Sequence, residues 1–248
     1  NAARIAAEKI KEKLSRCAYN LITQKYGVNI NTDELEFSNS KVFSKNYPEA
    51  AVKFEELVRF AHSERVPLAA YGYYRTPDLW FNRDKGIGNP FHYFVYGAAL
   101  AEVELDTLLG KHRVLKLIAI HENGQTLNEA IDRGQIEGAI MQGIGWCTME
   151  DLKWNEKGVY LSANPSTYKI PGIRNLPEEL EIEMIPSATE EASVFGSKGI
   201  GEPPLIYGLS VFFALQAAVK EAKKDAELSF PATPESVLQC LDGLYPID

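Results

Sequence analysis

The strongest candidate for chemistry is the segment G-I-G-E-P-P at residues 199–204. Its glycines free the backbone and its prolines suit the first turn of a helix, so Glu202 is predicted on a tight loop at a helix N-terminus. Free N–H groups there favour the ionised carboxylate, while burial against the helix would favour the protonated form. A carboxylate under these opposing influences could serve as a general base. A capping role for Glu202 is the alternative.

A second candidate is G-Q-I-E-G at residues 134–138, extended by Q-G-I-G at 142–145. Gln135 and Glu137 are two positions apart, so on a helix only one of them can face a given ligand. The Gln135 amide both donates and accepts hydrogen bonds, which suits an oxo group or a polar heterocycle. Each glycine costs a helix about 1 kcal/mol relative to alanine. Tight helix packing and a ligand both explain these glycines, and the sequence leaves the two open.

Composition excludes several classes of function. The chain has 248 residues and a net charge of −8, which argues against a nucleic-acid partner. Its three cysteines are too few for an iron–sulfur cluster held by this chain alone, and they favour a reduced, cytoplasmic location. The four histidines lack paired spacing, so no metal ligands are expected from the chain itself. No apolar stretch of membrane-spanning length is expected either, and hence no membrane partner.

Hydrophobic periodicity predicts the elements that must position these residues. Helices are expected at 1–26, after Pro48, at 128–150, at 205–220 as a fully buried helix, and at 235–241. Strands are expected within 28–44, at 68–75, as a hairpin of 91–105 with 112–120, as a hairpin within 152–161, and at 180–185. Residues 76–90 are expected to form a loop, and most aromatic side chains of residues 71–96 to pack in a core.

This order of elements predicts an α+β fold in which mixed β-sheets pack against helices. We expect two lobes, an α/β lobe at residues 1–65 and a second lobe at residues 66–248 that carries both glycine-rich motifs.

Three further motifs join the two described above: G-Y-Y-R-T-P at 72–77, N-P-F-H-Y-F at 89–94 followed by Y-G at 96–97, and P-S-T-Y-K-I-P at 165–171. In this order, over about residues 68–220, the set resembles the C-terminal part of the molybdenum-cofactor-binding subunit of the molybdenum hydroxylases. The resemblance is to the xanthine dehydrogenase branch of that family. Agreement across separate motifs makes it specific.

The resemblance implies roles for individual residues. Glu202 matches the family's catalytic base, which removes a proton so that a water-derived oxygen can attack an electron-poor carbon. Gln135 matches a glutamine that lines the cofactor region. The loop whose backbone lies against the molybdenum centre is matched by Lys198, Gly199, Ile200 and Gly201. In the family the pterin dithiolene holds the metal, so the chain supplies no metal ligand.

The resemblance also implies cofactors and partners. We expect a molybdenum–pterin cofactor, molybdopterin or its dinucleotide form, with 2Fe–2S clusters and FAD on other domains or subunits. Residues 1–65 would continue an upstream cofactor-binding region that belongs to the same subunit. Without that region we expect the chain to be inactive. Glu122 and Glu129 depart from the family, which usually has an aspartate and an Asn-Pro pair there, so the polar network near the cofactor is expected to differ.

The implied substrate is a purine such as xanthine or hypoxanthine. An aldehyde or an N-heteroaromatic compound is the alternative within the same class of enzyme. A non-catalytic assembly module is the alternative from a different class, and it would pack Glu202 away from any cleft.

Overall fold

The computed structural model describes residues 1–186 and 193–242. It forms two compact units, Asn1–Leu79 and Trp80–Asp248, whereas the sequence predicts a boundary at residue 65. Residues 66–79 stay with the first unit because Lys13 Nζ donates hydrogen bonds to the carbonyls of Pro67 and Ala69. The strand predicted at 68–75 is wrong: these residues form no strand, and the carbonyls of Ala69 and Tyr71 accept hydrogen bonds from Lys13 and Lys9.

The first unit places an antiparallel sheet beside two helices. Its elements in chain order are α1 Ala2–Tyr26, β1 Leu35–Ser38, β2 Lys41–Ser44, β3 Tyr47–Lys53 and α2 Phe54–Ser63. α1 ends as predicted, because Gly27 has φ 69° and donates its N–H to the Thr23 carbonyl. The helix predicted after Pro48 begins only at Phe54, since the preceding residues belong to β3.

The second unit contains a hairpin, a mixed sheet, three α-helices and short 3-10 helices among its described residues. Its elements are β4 Trp80–Asn82, β5 Ile87–Asn89, β6 Gly97–Asp106, β7 Lys111–Glu122, α3 Glu129–Thr148, β8 Glu179–Ile185, α4 Leu209–Ala222 and α5 Pro234–Cys240. β6 pairs antiparallel with β7, and β7 pairs parallel with β8. Leu117, Ile140 and Leu215 are fully buried where the sheet meets α3 and α4. The predicted α+β class with mixed sheets on helices is therefore confirmed.

Several predicted elements differ in extent. β6 starts at Gly97 rather than at residue 91, and Phe91 and Phe94 before it are exposed. The strand predicted from residue 91 is therefore wrong at its start. The predicted core packing is wrong as well, because most aromatic residues of 71–96 are exposed. Within 152–161 the described pairing is a single bridge between Trp154 and Tyr160. The predicted loop at 76–90 contains the β4–β5 hairpin.

The apolar segment after Glu202 divides into a short 3-10 helix, Pro203–Gly208, and α4. The prediction of burial all round is wrong, because Val211, Leu215 and Val219 face the core while Phe213 is exposed. Residues Pro203–Ala222 are also long and apolar enough to cross a membrane, contrary to expectation. Length and composition are the only support for a span, and the buried face of α4 is what a core helix shows.

Candidate functional site

The loop at residues 197–202 lies against the end of β7. Gly124 follows that strand with φ 67°, in the left-handed region that glycine tolerates, and forms an antiparallel bridge with Ser197. The Lys198 N–H donates to the Asn123 carbonyl at 3.0 Å. These backbone contacts continue the strand pairing by a few residues and fix the start of the loop.

A buried ion pair secures the same loop. Lys198 Nζ lies 3.0 Å from Glu122 Oε2, and the two side chains are only 9% and 12% exposed. The ammonium also donates to the Phe94 carbonyl at 3.2 Å and lies 5.9 Å from the centroid of the Tyr96 ring. Several partners thus compensate the cost of burying this charge. Glu122, one of the two departures from the family pattern, is therefore the ionic partner of the predicted site residue Lys198.

α3 places Gln135 beside the loop. A Cβ added at Gly201 would lie 3.1 Å from Gln135 Oε1, so the structure brings these two predicted site residues together. Glu137 is engaged elsewhere, in an ion pair with Arg133 at 2.9 Å. That separation agrees with the prediction that only one of the two polar side chains can face a ligand.

The glycines of α3 have two kinds of surroundings. A Cβ at Gly143 would lie 2.1 Å from the Leu205 carbonyl oxygen, and one at Gly145 would lie 2.3 Å from Pro171 Cγ. A Cβ at Gly134 or Gly138 would meet nothing within 4 Å among the described atoms. Tight packing therefore explains the second pair, and the first pair leaves an open face next to Gln135.

Glu202 is exposed and directly precedes the 3-10 helix Pro203–Gly208. Its carbonyl accepts the Leu205 N–H at 3.1 Å, while its carboxylate makes no cap. Within the described residues that carboxylate also has no hydrogen bond or ion pair. The predicted burial against the following helix is therefore wrong, the capping alternative is not supported, and the carboxylate is left accessible.

The backbone between Lys198 and Glu202 is held on one side and open on the other. Ile200 packs its side chain against the core of the second unit. A Cβ at Gly199 would lie 3.4 Å from the Tyr93 hydroxyl. Among the described residues, the N–H groups of Gly199, Ile200 and Gly201 have no hydrogen-bond acceptor. The loop therefore presents free backbone donors.

A histidine–tyrosine pair lies behind the loop. His121 is fully buried, and its Nδ1 lies 2.7 Å from the Tyr207 hydroxyl. Burial lowers the pKa of His121, and the Gly199 backbone and the Glu122 charge partly oppose that effect. Burial and Glu122 both raise the pKa of Tyr207. His121 is thus a hydrogen-bonded structural histidine, and its partner Tyr207 is 86 residues away in sequence, so no local pattern connects the two.

These features fit a large polar ligand better than an ion bound directly by the chain. The loop offers backbone donors, Gln135 offers an amide, and the face at Gly134 and Gly138 is unfilled. Asn123 Oδ1 is buried beside the loop without a partner among the described atoms. No cluster of three or more potential metal-ligating side chains occurs in the described part of the chain. A pterin, rich in ring nitrogens and carbonyl oxygen, suits such surroundings.

Fold and motifs together are those of a cofactor-binding domain. The family model of the molybdopterin cofactor-binding domain matches residues 1–177, and the chain belongs to this family.

Curated relatives include xanthine dehydrogenase/oxidase of Felis catus, 39% identical over 210 residues, covering 81% of this chain and 16% of that protein. Aldehyde oxidase 2 of Macaca fascicularis is 40% identical over 205 residues, covering 80% of this chain and 15% of that protein. The chain thus spans about one sixth of the length of the relatives that it matches.

Solved structures agree in fold. Quinoline 2-oxidoreductase from Pseudomonas putida 86 superposes with a TM-score of 0.69 at 22% identity, covering 96% of this chain and 28% of that one. Aldehyde oxidoreductase from Desulfovibrio gigas gives a TM-score of 0.61 at 27% identity, covering 77% of this chain and 20% of that one. The fold predicted from the family resemblance is therefore confirmed.

Proposed function

We propose that this chain is part of a molybdenum hydroxylase and that Glu202 is its general base. The observation that carries the proposal is that the loop at 199–202 lies beside Gln135 while the Glu202 side chain on that loop is exposed. The Gln135 amide and the free N–H groups of Gly199, Ile200 and Gly201 would hold the molybdenum–pterin cofactor. When bound, that cofactor supplies the centre that accepts two electrons from the substrate.

Glu202 would act through a carboxylate oxygen that accepts a proton from the water supplying the new hydroxyl oxygen. Its freedom from other partners suits this role, because a carboxylate committed to a cap or an ion pair would be a weaker base. Lys198 has a different part. Its ammonium is committed to Glu122, so it would hold the loop in place while the loop backbone contacts the cofactor.

A purine such as xanthine or hypoxanthine is the proposed substrate. Relatives named xanthine dehydrogenase/oxidase support it. An aldehyde is the second candidate, because aldehyde oxidase 2 is as similar to this chain. Comparing turnover of xanthine, hypoxanthine and an aromatic aldehyde by the assembled enzyme separates the two candidates.

The complete enzyme would need further parts. Relatives are about six times longer than the matched segment, which supports an upstream part of the molybdenum subunit together with iron–sulfur and flavin domains or subunits. We propose a cytosolic enzyme that is inactive without those parts. The assembly-module alternative requires Glu202 to be packed away, and its exposed position favours the catalytic role instead.

Glu202→Gln in the assembled enzyme tests the proposal. We expect kcat to fall at least about 10²-fold with an unchanged molybdenum content, because the variant retains the size of the side chain and loses the base. Glu221→Gln, at an exposed position near the end of α4, is the matched control and should retain full activity. Near-normal turnover by the Glu202 variant would remove Glu202 from the mechanism.

A further inference from the structure

The hydrogen bond between His121 and Tyr207 connects the end of β7 to the turn that follows Glu202. The Tyr207 hydroxyl lies 2.7 Å from His121 Nδ1, and the two rings meet edge to face with centroids 5.8 Å apart. Tyr207 belongs to the 3-10 helix Pro203–Gly208, which starts immediately after Glu202. Both side chains are buried, so this bond is shielded from water.

The start of the segment that leads to Tyr207 also contacts the end of β7. The Lys198 N–H donates to the Asn123 carbonyl, two residues after His121, so the start of this stretch is attached at the end of β7. The stretch from Gly199 to Tyr207 therefore leaves the end of β7 and returns to it. Glu202 lies between these two attachments.

Gly97 provides the space that this hydrogen bond needs. It pairs with His121 across the β6–β7 ladder. A Cβ at Gly97 would lie 1.8 Å from the Tyr207 hydroxyl and 2.6 Å from the Ile120 carbonyl oxygen. Any larger residue there would displace the tyrosine or the strand. The contact between His121 and Tyr207 therefore depends on a third residue, Gly97, from another element.

We propose that His121 and Tyr207 are positioning residues that set the location of the Glu202 carboxylate. The inference rests on the proposed role of Glu202 as base. Because the Glu202 side chain makes no hydrogen bond or ion pair within the described residues, its location depends on the backbone that carries it. His121 and Tyr207 fix that backbone, and a displacement of about 1 Å at a reacting group can cost as much as 10²-fold in rate.

Amide hydrogen exchange in this chain tests the attachment without any cofactor. Tyr207→Phe removes only the hydroxyl, and we expect exchange of the Leu205 amide, which donates to Glu202, to quicken about five- to tenfold. The Glu178 amide, bonded to Val114 elsewhere in the unit, should be unaffected. Tyr26→Phe is the matched control, because it removes a tyrosine hydroxyl bonded to Ala51 in the first unit. Unchanged Leu205 exchange in the Tyr207 variant would overturn the proposal.

Kinetics of the assembled enzyme test the positioning role. Tyr207→Phe should lower kcat about tenfold and leave KM and molybdenum content unchanged. His121→Leu should behave in the same way. His121→Asn should recover part of the lost rate, because its amide can place a hydrogen-bonding atom near the position of Nδ1. A loss of rate that merely follows a loss of molybdenum, or no recovery with asparagine, would contradict positioning.

The two proposals fail in different ways. If Glu202→Gln is fully active, the proposed base is wrong, and the exchange result still decides whether His121 and Tyr207 hold the loop. If Glu202→Gln is inactive while Tyr207→Phe has normal exchange and normal kcat, the base stands and the positioning pair is rejected.

Discussion

Both halves of α3 contain two glycines, but the surroundings of the two pairs are opposite. At its C-terminal half, Gly143 and Gly145 lie against Leu205 and Pro171 so closely that neither could carry a Cβ without displacing a neighbour. At its N-terminal half, Gly134 and Gly138 face unfilled space next to Gln135. The difference shows that one helix uses glycine for two purposes, close packing at one end and an open surface at the other.

The segment that carries Glu202 contacts both halves of α3. Leu205 and Gly208 pack on Gly143, so the turn after Glu202 is anchored at the packed half. Gly201 lies beside Gln135 at the open half. A closely packed attachment and an exposed surface are thereby only a few residues apart, which is the arrangement that a preorganised site requires.

Gly143→Ala should produce the largest effect on stability. Its Cβ would meet the backbone of Leu205 and Gly208 rather than a movable side chain, so we expect a loss of about 3 kcal/mol in the free energy of unfolding. Urea unfolding followed by tryptophan fluorescence reports on this unit, because all three tryptophans lie in it. Wild-type stability in this variant would mean that the packed half of α3 is not packed.

Glu122→Leu should produce the next largest loss of stability. It leaves the Lys198 ammonium buried without its carboxylate, and we expect a loss of about 2–3 kcal/mol by the same measurement. The double variant Glu122→Leu with Lys198→Met removes both charges and should recover most of that loss. A double variant no more stable than the single one would show that the ion pair does not hold the loop.

Gly138→Ala should increase the free energy of unfolding, opposite to the change expected for Gly143→Ala. With nothing within 4 Å of its Cβ, alanine gains helix propensity and should stabilise this unit by about 0.5–1 kcal/mol. Opposite signs at Gly138 and Gly143, measured side by side, would sharpen the contrast between the two halves. A clear destabilisation at Gly138 would abolish it.

The smallest effect concerns pH. Burial lowers the pKa of His112 and His121, which lie near the two ends of β7. The unfolded chain, with histidine pKa values near 6.5, then binds more protons than the folded chain, so stability should fall as pH drops below about 6.5. His112→Asn and His121→Asn should each lessen this acid-side loss in urea unfolding at pH 5.5 relative to pH 7.5. An undiminished loss in both variants would contradict the effect of burial.

The sequence predicts much of the fold because local signals suffice for it. The apolar stripe and Gly27 predict α1, and the prolines after Glu202 predict the start of a helical segment. Local signals fail where surroundings decide. Residues 68–75 have the composition of a strand, yet the carbonyls of Ala69 and Tyr71 accept hydrogen bonds from Lys13 and Lys9 of α1. Most aromatic residues before Gly97 are exposed although they have the composition of a core.

The candidate site shows the same division. The sequence names Gln135 and the loop from Lys198 to Glu202, and the structure brings Gln135 and Gly201 together. The sequence does not predict Tyr207 as the partner of His121, or Glu122 as the partner of Lys198, because those contacts join residues far apart in sequence. Nor could glycine spacing alone distinguish the packed half of α3 from the open one.

We propose that the open half of α3, with the loop beside it, forms a wall of the molybdenum–pterin site. The most direct test is the molybdenum and pterin content of the enzyme assembled with its upstream part, comparing wild type with Gly138→Leu and with Ala3→Leu, a matched change at an exposed position of α1. We expect the cofactor in wild type and in the Ala3 variant, and its loss from an assembled, folded Gly138 variant. Full cofactor content in the Gly138 variant would contradict the claim.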